Sequence, residues 1–336
     1  MATATTAPGK RRLEARRVLL RGLIGFLVLL VALLLFAFVR PLTVLVAAAQ
    51  VRLLFSGIHS EYTEIPYAGQ RTRIHYYAGG TGSPVVLVHG LGGRAEDWVN
   101  LMPQLTGDHH RVYALDLPGY GRSEWPRDAQ YSIAEQAEAV EAFLNSQHLD
   151  RVDLGGWSMG GWVAMRVALA APQRIRRLMI FDSAGTRFTL NFDPTLFEPD
   201  TPQKLQRLDD LLMAGPAPHV PGFVQRAIFR FVKEHAWVVR RNIDSMLTGA
   251  DLLTAENLHQ LTMPMLIVWG TEDHLIPLSV GEQIHKDAPQ SELEIFDGCG
   301  HLAAGYCAAK VGPVVKGFLD EAAPLSGRTA EILAKR

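Results

Sequence analysis

Hydrophobic and polar residues follow different rhythms in different parts of this 336-residue chain. From Gly22 to Val39 run 18 residues without a charge, mostly Leu, Val, Phe and Ala. The run is apolar all round, so it has no amphipathic face to lay on a core. As a helix it would be about 27 Å long, close to the hydrocarbon thickness of a bilayer. Residues 41–55 stay apolar and read as an extension of this segment or as a stalk along a membrane surface. From Tyr62 the rhythm changes to short apolar runs alternating with helix-like ones. Residues 72–77 alternate like an early strand. Residues 84–88 form a continuous apolar strand, as expected where both faces are covered. Further strands are predicted at 111–116, 151–155, 177–182, 265–269 and 293–296. Residues 132–143 read as a helix with Ser132 and Glu135 in a capping box, and 161–170 as another. This regular alternation predicts βαβ units and a mainly parallel sheet.

Between Thr186 and Leu261 the alternation stops. Six prolines and then helix-like runs occupy this stretch, which is too long for a loop and reads as an inserted cap. Residues 223–241 combine aromatic and aliphatic positions with Arg226, Arg230, Lys233, Arg240 and Arg241. They read as a lid helix with its apolar side over a site, a pattern also compatible with a membrane interface. The expected division is a basic tail 1–17, a transmembrane helix 18–39, a stalk 40–60, a core 61–185 and 262–322 interrupted by the cap 186–261, and a C-terminal tail 323–336.

Charge adds an orientation. Lys10, Arg11, Arg12, Arg16, Arg17 and Arg21 precede the apolar run against one Glu14, and only Arg40 and Arg52 follow it before residue 60. The positive-inside bias puts the N-terminus in the cytoplasm and the main domain on the opposite side. The alternative is a cleaved signal peptide ending near residues 47–49, but its apolar core would exceed the usual length. A retained single-pass anchor in a lipid bilayer is therefore the expectation. The net charge of −1 gives no electrostatic case for nucleic acid. Cys299 and Cys307, the two cysteines, offer no zinc pattern, and nothing calls for a metal or cofactor. They read as small buried residues, with a disulfide left open if the domain lies outside the cytoplasm.

Chemistry concentrates at strand ends. Gly156-Trp157-Ser158-Met159-Gly160 lies between a strand and a helix, the context in which G-x-S-x-G becomes a nucleophile elbow. Flanking glycines relieve the tight turn and leave the Ser158 hydroxyl exposed to substrate. A serine needs a base and a group to orient that base. Asp273 follows one strand, and His301 follows the last in the Gly-rich loop 297–301. His301 would be the base and Asp273 the acid; Asp182 is the main competitor for the acid, Glu272 a weaker one, and His274 is read as a loop residue. The oxyanion would be met by the backbone N–H of Met159, at a helix N-terminus, and of Leu91, in the loop 89–93. His89 and the loop 116–123 are read as structural supports.

Together these residues resemble the α/β-hydrolase superfamily. The resemblance runs from about Tyr62 to Ala322 and rests on His89-Gly90-Leu91-Gly92-Gly93, the 116–123 loop, Gly156-Trp157-Ser158-Met159-Gly160-Gly161, Gly270-Thr271-Glu272-Asp273 and Gly300-His301. It implies an α/β-hydrolase fold with an inserted helical cap. The anchor, the Ser-Met-Gly-Gly elbow and Ser183-Ala184-Gly185 look most similar to membrane-anchored monoacylglycerol lipases and related bacterial lipases. That implies hydrolysis of a small-molecule ester of a medium or long acyl chain. Ser158 argues against the haloalkane dehalogenases and epoxide hydrolases, which use aspartate there. C–C bond hydrolases also carry a serine elbow and remain open, as does a non-catalytic hydrolase-like binding protein.

Overall fold

The computed structural model describes residues 8–216, 219–321 and 329–332; the rest of the expected N- and C-terminal tails lies outside the described residues. Helix α1 (Pro8–Val39) is continuous, and its Leu19–Val39 stretch has mean hydropathy 3.0 with none of it buried. It is long and apolar enough to cross a membrane. Arg40 interrupts it, and Pro41, in the first turn where no N–H partner is needed, starts α2 (Pro41–Phe55).

The segment expected as a stalk is thus a helix that ends earlier than residue 60. Ser56 and Gly57 close α2 by donating to the carbonyls of Leu53 and Leu54, with Gly57 at φ 71°. Strand β1 (Ile58–Tyr67) then begins, and pairs antiparallel with β2 (Gln70–Gly79) along its whole length. β1 is hidden in the sequence because it is an edge strand, with only Ile58, Ile65 and Tyr67 buried.

The remaining elements alternate. They are β3 (Ser83–Val88), α3 (Met102–Leu105), β4 (His110–Leu115), α4 (Ile133–Ser146), β5 (Val152–Trp157), α5 (Met159–Ala170) and β6 (Ile175–Phe181). Then follow α6 (Pro202–Leu212), α7 (Gly222–Thr248), α8 (Ala255–His259), β7 (Met265–Gly270), α9 (Leu278–Asp287), β8 (Ser291–Phe296), α10 (Ala303–Tyr306), α11 (Ala308–Asp320) and β9 (Thr329–Ile332). The sheet order is β1-β2-β4-β3-β5-β6-β7-β8-β9, parallel from β4 onward. β9 lies in the stretch expected as a tail. At α4, Ser132 Oγ accepts from Glu135 N at 3.1 Å, but the Glu135 carboxylate turns to Tyr131 N (2.7 Å), so only half of the expected capping box forms.

Both faces of the sheet are covered, which is why β5 and β7 are buried along their whole length. One apolar cluster joins the sheet to α4, α5 and α9; the other joins it to α3, α11 and Trp98. Between β6 and β7 the chain leaves these layers for α6, α7 and α8. α7 is longer than the 223–241 helix expected. Its start packs near the membrane-type segment, where Phe223 stacks on Phe38 with ring centroids 5.1 Å apart.

Candidate active site

The turn from β5 into α5 is tight. Ser158 has φ 54°, a left-handed conformation that costs a non-glycine residue about 1–3 kcal/mol and persists only where its surroundings impose it. They do so by close packing. A Cβ on Gly156 would lie 2.1 Å from the Gly160 carbonyl oxygen, and one on Gly160 would lie 2.2 Å from that of Val88. Ser158 N donates to Phe181 O at 2.9 Å, which ties the elbow to β6.

Ser158, His301 and Asp273, remote in sequence, meet here. His301 Nε2 lies 2.9 Å from Ser158 Oγ, and His301 Nδ1 lies 2.8 Å from Asp273 Oδ2. A carboxylate only accepts, so Nδ1 carries the proton and Nε2 presents its lone pair to the serine hydroxyl. The other Asp273 oxygen accepts from Leu275 N (2.9 Å) and Ile276 N (2.8 Å), which fixes its direction. All three residues are buried. Such an arrangement can draw the proton from Ser158 as its oxygen attacks an electrophile.

The competitors take other places. Asp182, also left-handed at φ 44°, accepts instead from two backbone groups, Gly270 N (2.8 Å) and Ala303 N (3.3 Å). It ties the loop bearing Asp273 to the loop bearing His301. Burial, and then the nearby Asp273 charge, raise the Asp182 carboxyl well above the ordinary carboxylate range. Glu272 faces His274 across 3.6 Å, both partly in solvent.

Two supports leave no local pattern in the sequence. Trp157 Nε1 donates to the His301 carbonyl at 2.6 Å, with the two rings 5.5 Å apart, so the residue just before the serine holds the histidine backbone. Cys299 and Cys307 are bonded to each other, which corrects the reading of two separate buried residues. Gly300 and the short α10 turn the chain back on itself and bring their Cα atoms within 6.1 Å, a closure that eight residues of spacing alone could not reveal.

His89 donates from Nδ1 to Gly90 O (2.7 Å) and accepts at Nε2 from Leu117 N (3.1 Å). Burial lowers its pKa, consistent with a neutral ring linking the 89–93 and 116–123 loops. Leu91 and Met159 flank Ser158 in the wall of a cavity lined mainly by apolar residues, among them Trp162, Phe188, Phe192, Phe197, Ile243 and Met246. A second cavity also reaches Ser158 and includes His301 in its wall. Its walls include Arg94, Tyr120, Trp125, Ile228, Phe231, His235 and, from α2, Leu42. α7 therefore lines both cavities, with Arg226, Arg230 and Lys233 turned outward.

A family model of the alpha/beta hydrolase fold matches residues 83–305. A 2-hydroxymuconate semialdehyde hydrolase of Pseudomonas sp. is 29% identical over 283 residues, covering 77% of this chain and 94% of the relative. A 2-hydroxy-6-oxo-2,4-heptadienoate hydrolase of Pseudomonas putida is 30% identical over 266 residues, covering 73% and 92%. Among solved structures, a membrane phospholipase A described as a bacterial virulence factor superposes with a TM-score of 0.72 at 24% identity, over 90% of this chain and 99% of that one.

Proposed function

Because this chain belongs to the alpha/beta hydrolase fold family, we propose that it is a membrane-anchored serine hydrolase that cleaves carboxylic esters of lipid-like substrates. The observation that carries this reading is the position of Ser158 where two largely apolar cavities meet, one of which reaches Leu42. Leu42 is three residues past the end of α1, about 5 Å along a helix. A substrate dissolved in the bilayer next to α1 would have little water to cross before reaching the serine.

In the proposed reaction Ser158 Oγ attacks the ester carbonyl while His301 Nε2 takes its proton and Asp273 stabilises the imidazolium. The N–H groups of Leu91 and Met159 receive the oxyanion, the latter helped by the dipole of α5. His301 then protonates the departing alcohol, and water activated by the same ring releases the acid from Ser158. The apolar cavity bounded by Phe188, Phe192 and Met246 suits the acyl chain, and the one with Tyr120, Trp125 and His235 suits the alcohol. The Cys299–Cys307 bond supports placing the domain outside the reducing cytoplasm, as does the excess of basic residues before α1.

A second reading is favoured by the relatives' names: cleavage of a C–C bond in a ring-fission product. Arg187 and Arg94, one in each cavity, are the cations that could receive an acidic substrate. The experiment that separates the readings is a panel of glycerol and nitrophenyl esters from acetyl to stearoyl, run beside a dienol-keto acid. Medium or long esters should be turned over best, with rapid fluorophosphonate labelling mapped to Ser158 and lost in Ser158→Ala. Turnover of the keto acid alone would replace the ester reading, and an unlabelled Ser158 would end both. A phosphatase reporter fused after residue 60 should be active; an inactive one would reverse the topology.

A further inference from the structure

A second serine–histidine–aspartate relay stands at the β1 edge of the sheet. Ser60, on edge strand β1, lies 3.0 Å from His75 Nε2, and His75 Nδ1 lies 2.7 Å from Asp116 Oδ2. His75 and Asp116 are fully buried, whereas Ser60 is exposed. We propose that Ser60 is a second activated serine, an acylation site for activated acyl donors such as aryl esters and thioesters.

The proton arrangement is set by the partners. Asp116 accepts from Ala95 N (2.6 Å) and Arg122 N (2.8 Å) as well as from His75. Burial alone would raise the Asp116 carboxyl, but these donors hold it below the ordinary range, so it stays a carboxylate. It therefore keeps the proton on His75 Nδ1 and leaves Nε2 to accept from the Ser60 hydroxyl. On its other side Ser60 Oγ accepts from Arg122 Nη1 at 3.2 Å. Arg122 is itself held by Tyr77 and Glu96. A serine that donates to a buried, carboxylate-oriented imidazole and rests against a guanidinium has the base and the cation that attack on a carbonyl requires.

In the step, a bond forms between Ser60 Oγ and the acyl carbon, and the bond from that carbon to the aryl oxygen or thiol sulfur breaks. The Ser60 proton passes to His75 Nε2 and from there to the leaving phenol or thiol. Ser60 differs from Ser158 in lying on a strand, with no helix N-terminus behind it. Arg122 is the donor available for the oxyanion. With no helix N-terminus to receive the oxyanion, unlike Ser158, and with a serine alkoxide a far poorer leaving group than a phenolate or thiolate, water releases the new ester slowly. Ser60 is thus modified once per chain and does not turn over.

The test uses the full chain carrying Ser158→Ala, treated with nitrophenyl acetate and read by peptide mapping. Ser56, also exposed and just ahead of the same strand, is the internal reference. Ser60 should acquire one acetyl group about a hundredfold faster than Ser56, the size of a general-base contribution. The label should disappear with Ser60→Ala and slow by a similar factor with His75→Gln. Labelling no faster than at Ser56 would overturn the proposal even if His75→Gln failed to fold; so would rapid labelling that a folded His75→Gln leaves unchanged. Both outcomes are independent of what Ser158 does.

Discussion

Replacing Asp273 by asparagine should nearly abolish turnover while leaving the fold intact. The carbonyl oxygen of the new amide would keep the two bonds from Leu275 N and Ile276 N, at 2.9 and 2.8 Å, that fix the side chain now. The amide nitrogen would then face His301 Nδ1, where the carboxylate accepts at 2.8 Å. An amide N–H cannot accept, so the imidazole must move its proton to Nε2. Nε2 sits 2.9 Å from Ser158 Oγ and would then point a hydrogen at the atom it should deprotonate. A wrong tautomer of this kind costs about 10⁴ in kcat, which corresponds to about 5.4 kcal/mol of transition-state stabilisation. The assay is steady-state hydrolysis of a medium-chain ester in detergent by Asp273→Asn, with circular dichroism to verify the fold. KM should change little, because Asp273 touches the histidine and not the substrate. A loss of less than tenfold in a folded variant would refute the tautomer argument. It would also point to Asp182, the other buried carboxylate between the two loops, as the orienting acid.

Asp182 itself gives a pH signature. Its folded pKa lies above the unfolded value of about 3.9, so the native state binds this proton more tightly, and its contribution to stability falls as pH rises past about 4. The melting temperature of wild type relative to Asp182→Asn should therefore decline from acid toward neutral pH, and a flat difference would contradict this. Opening the Cys299–Cys307 bond, with eight residues of separation, should cost ~2.5 kcal/mol on the chain-entropy estimate and lower kcat through the freed His301 loop; unchanged denaturation midpoint and kcat in the Cys299→Ser, Cys307→Ser protein would argue against it. Leu42→Trp should lower kcat/KM for long-chain esters in vesicles by about tenfold, with acetyl esters little affected. An equal loss for both would mean that Leu42 supports the fold and not the cavity.

The strand ends that carry Ser158, Asp273 and His301 are legible because each combines an apolar run with a turn residue of specific backbone need. The elbow glycines are the clearest case, since close approach of Val88 and Gly160 leaves no room for a Cβ. The acid is narrowed but not singled out, because Asp182 and Asp273 both follow strands and only the direction of the side chain separates them. Contacts between distant residues leave less trace. The Trp157–His301 bond spans 144 residues, and Asp182 meets Ala303 across 121, so neither has a local pattern. β1 is obscure for a different reason: an edge strand with one half-buried face resembles a loop in its polarity. The pairing of Cys299 with Cys307 depends on how Gly300 and α10 fold back, which residue spacing does not encode.

Leu42 ties the N-terminal apolar segment to the candidate site. Because α2 contributes a wall to the cavity beside Ser158, the leader is part of the enzyme's shape. A version trimmed at the start of β1 would have a wider mouth and would lose the apolar wall that α2 lends it. Selectivities measured on the trimmed and untrimmed forms would then describe two differently sculpted receptacles.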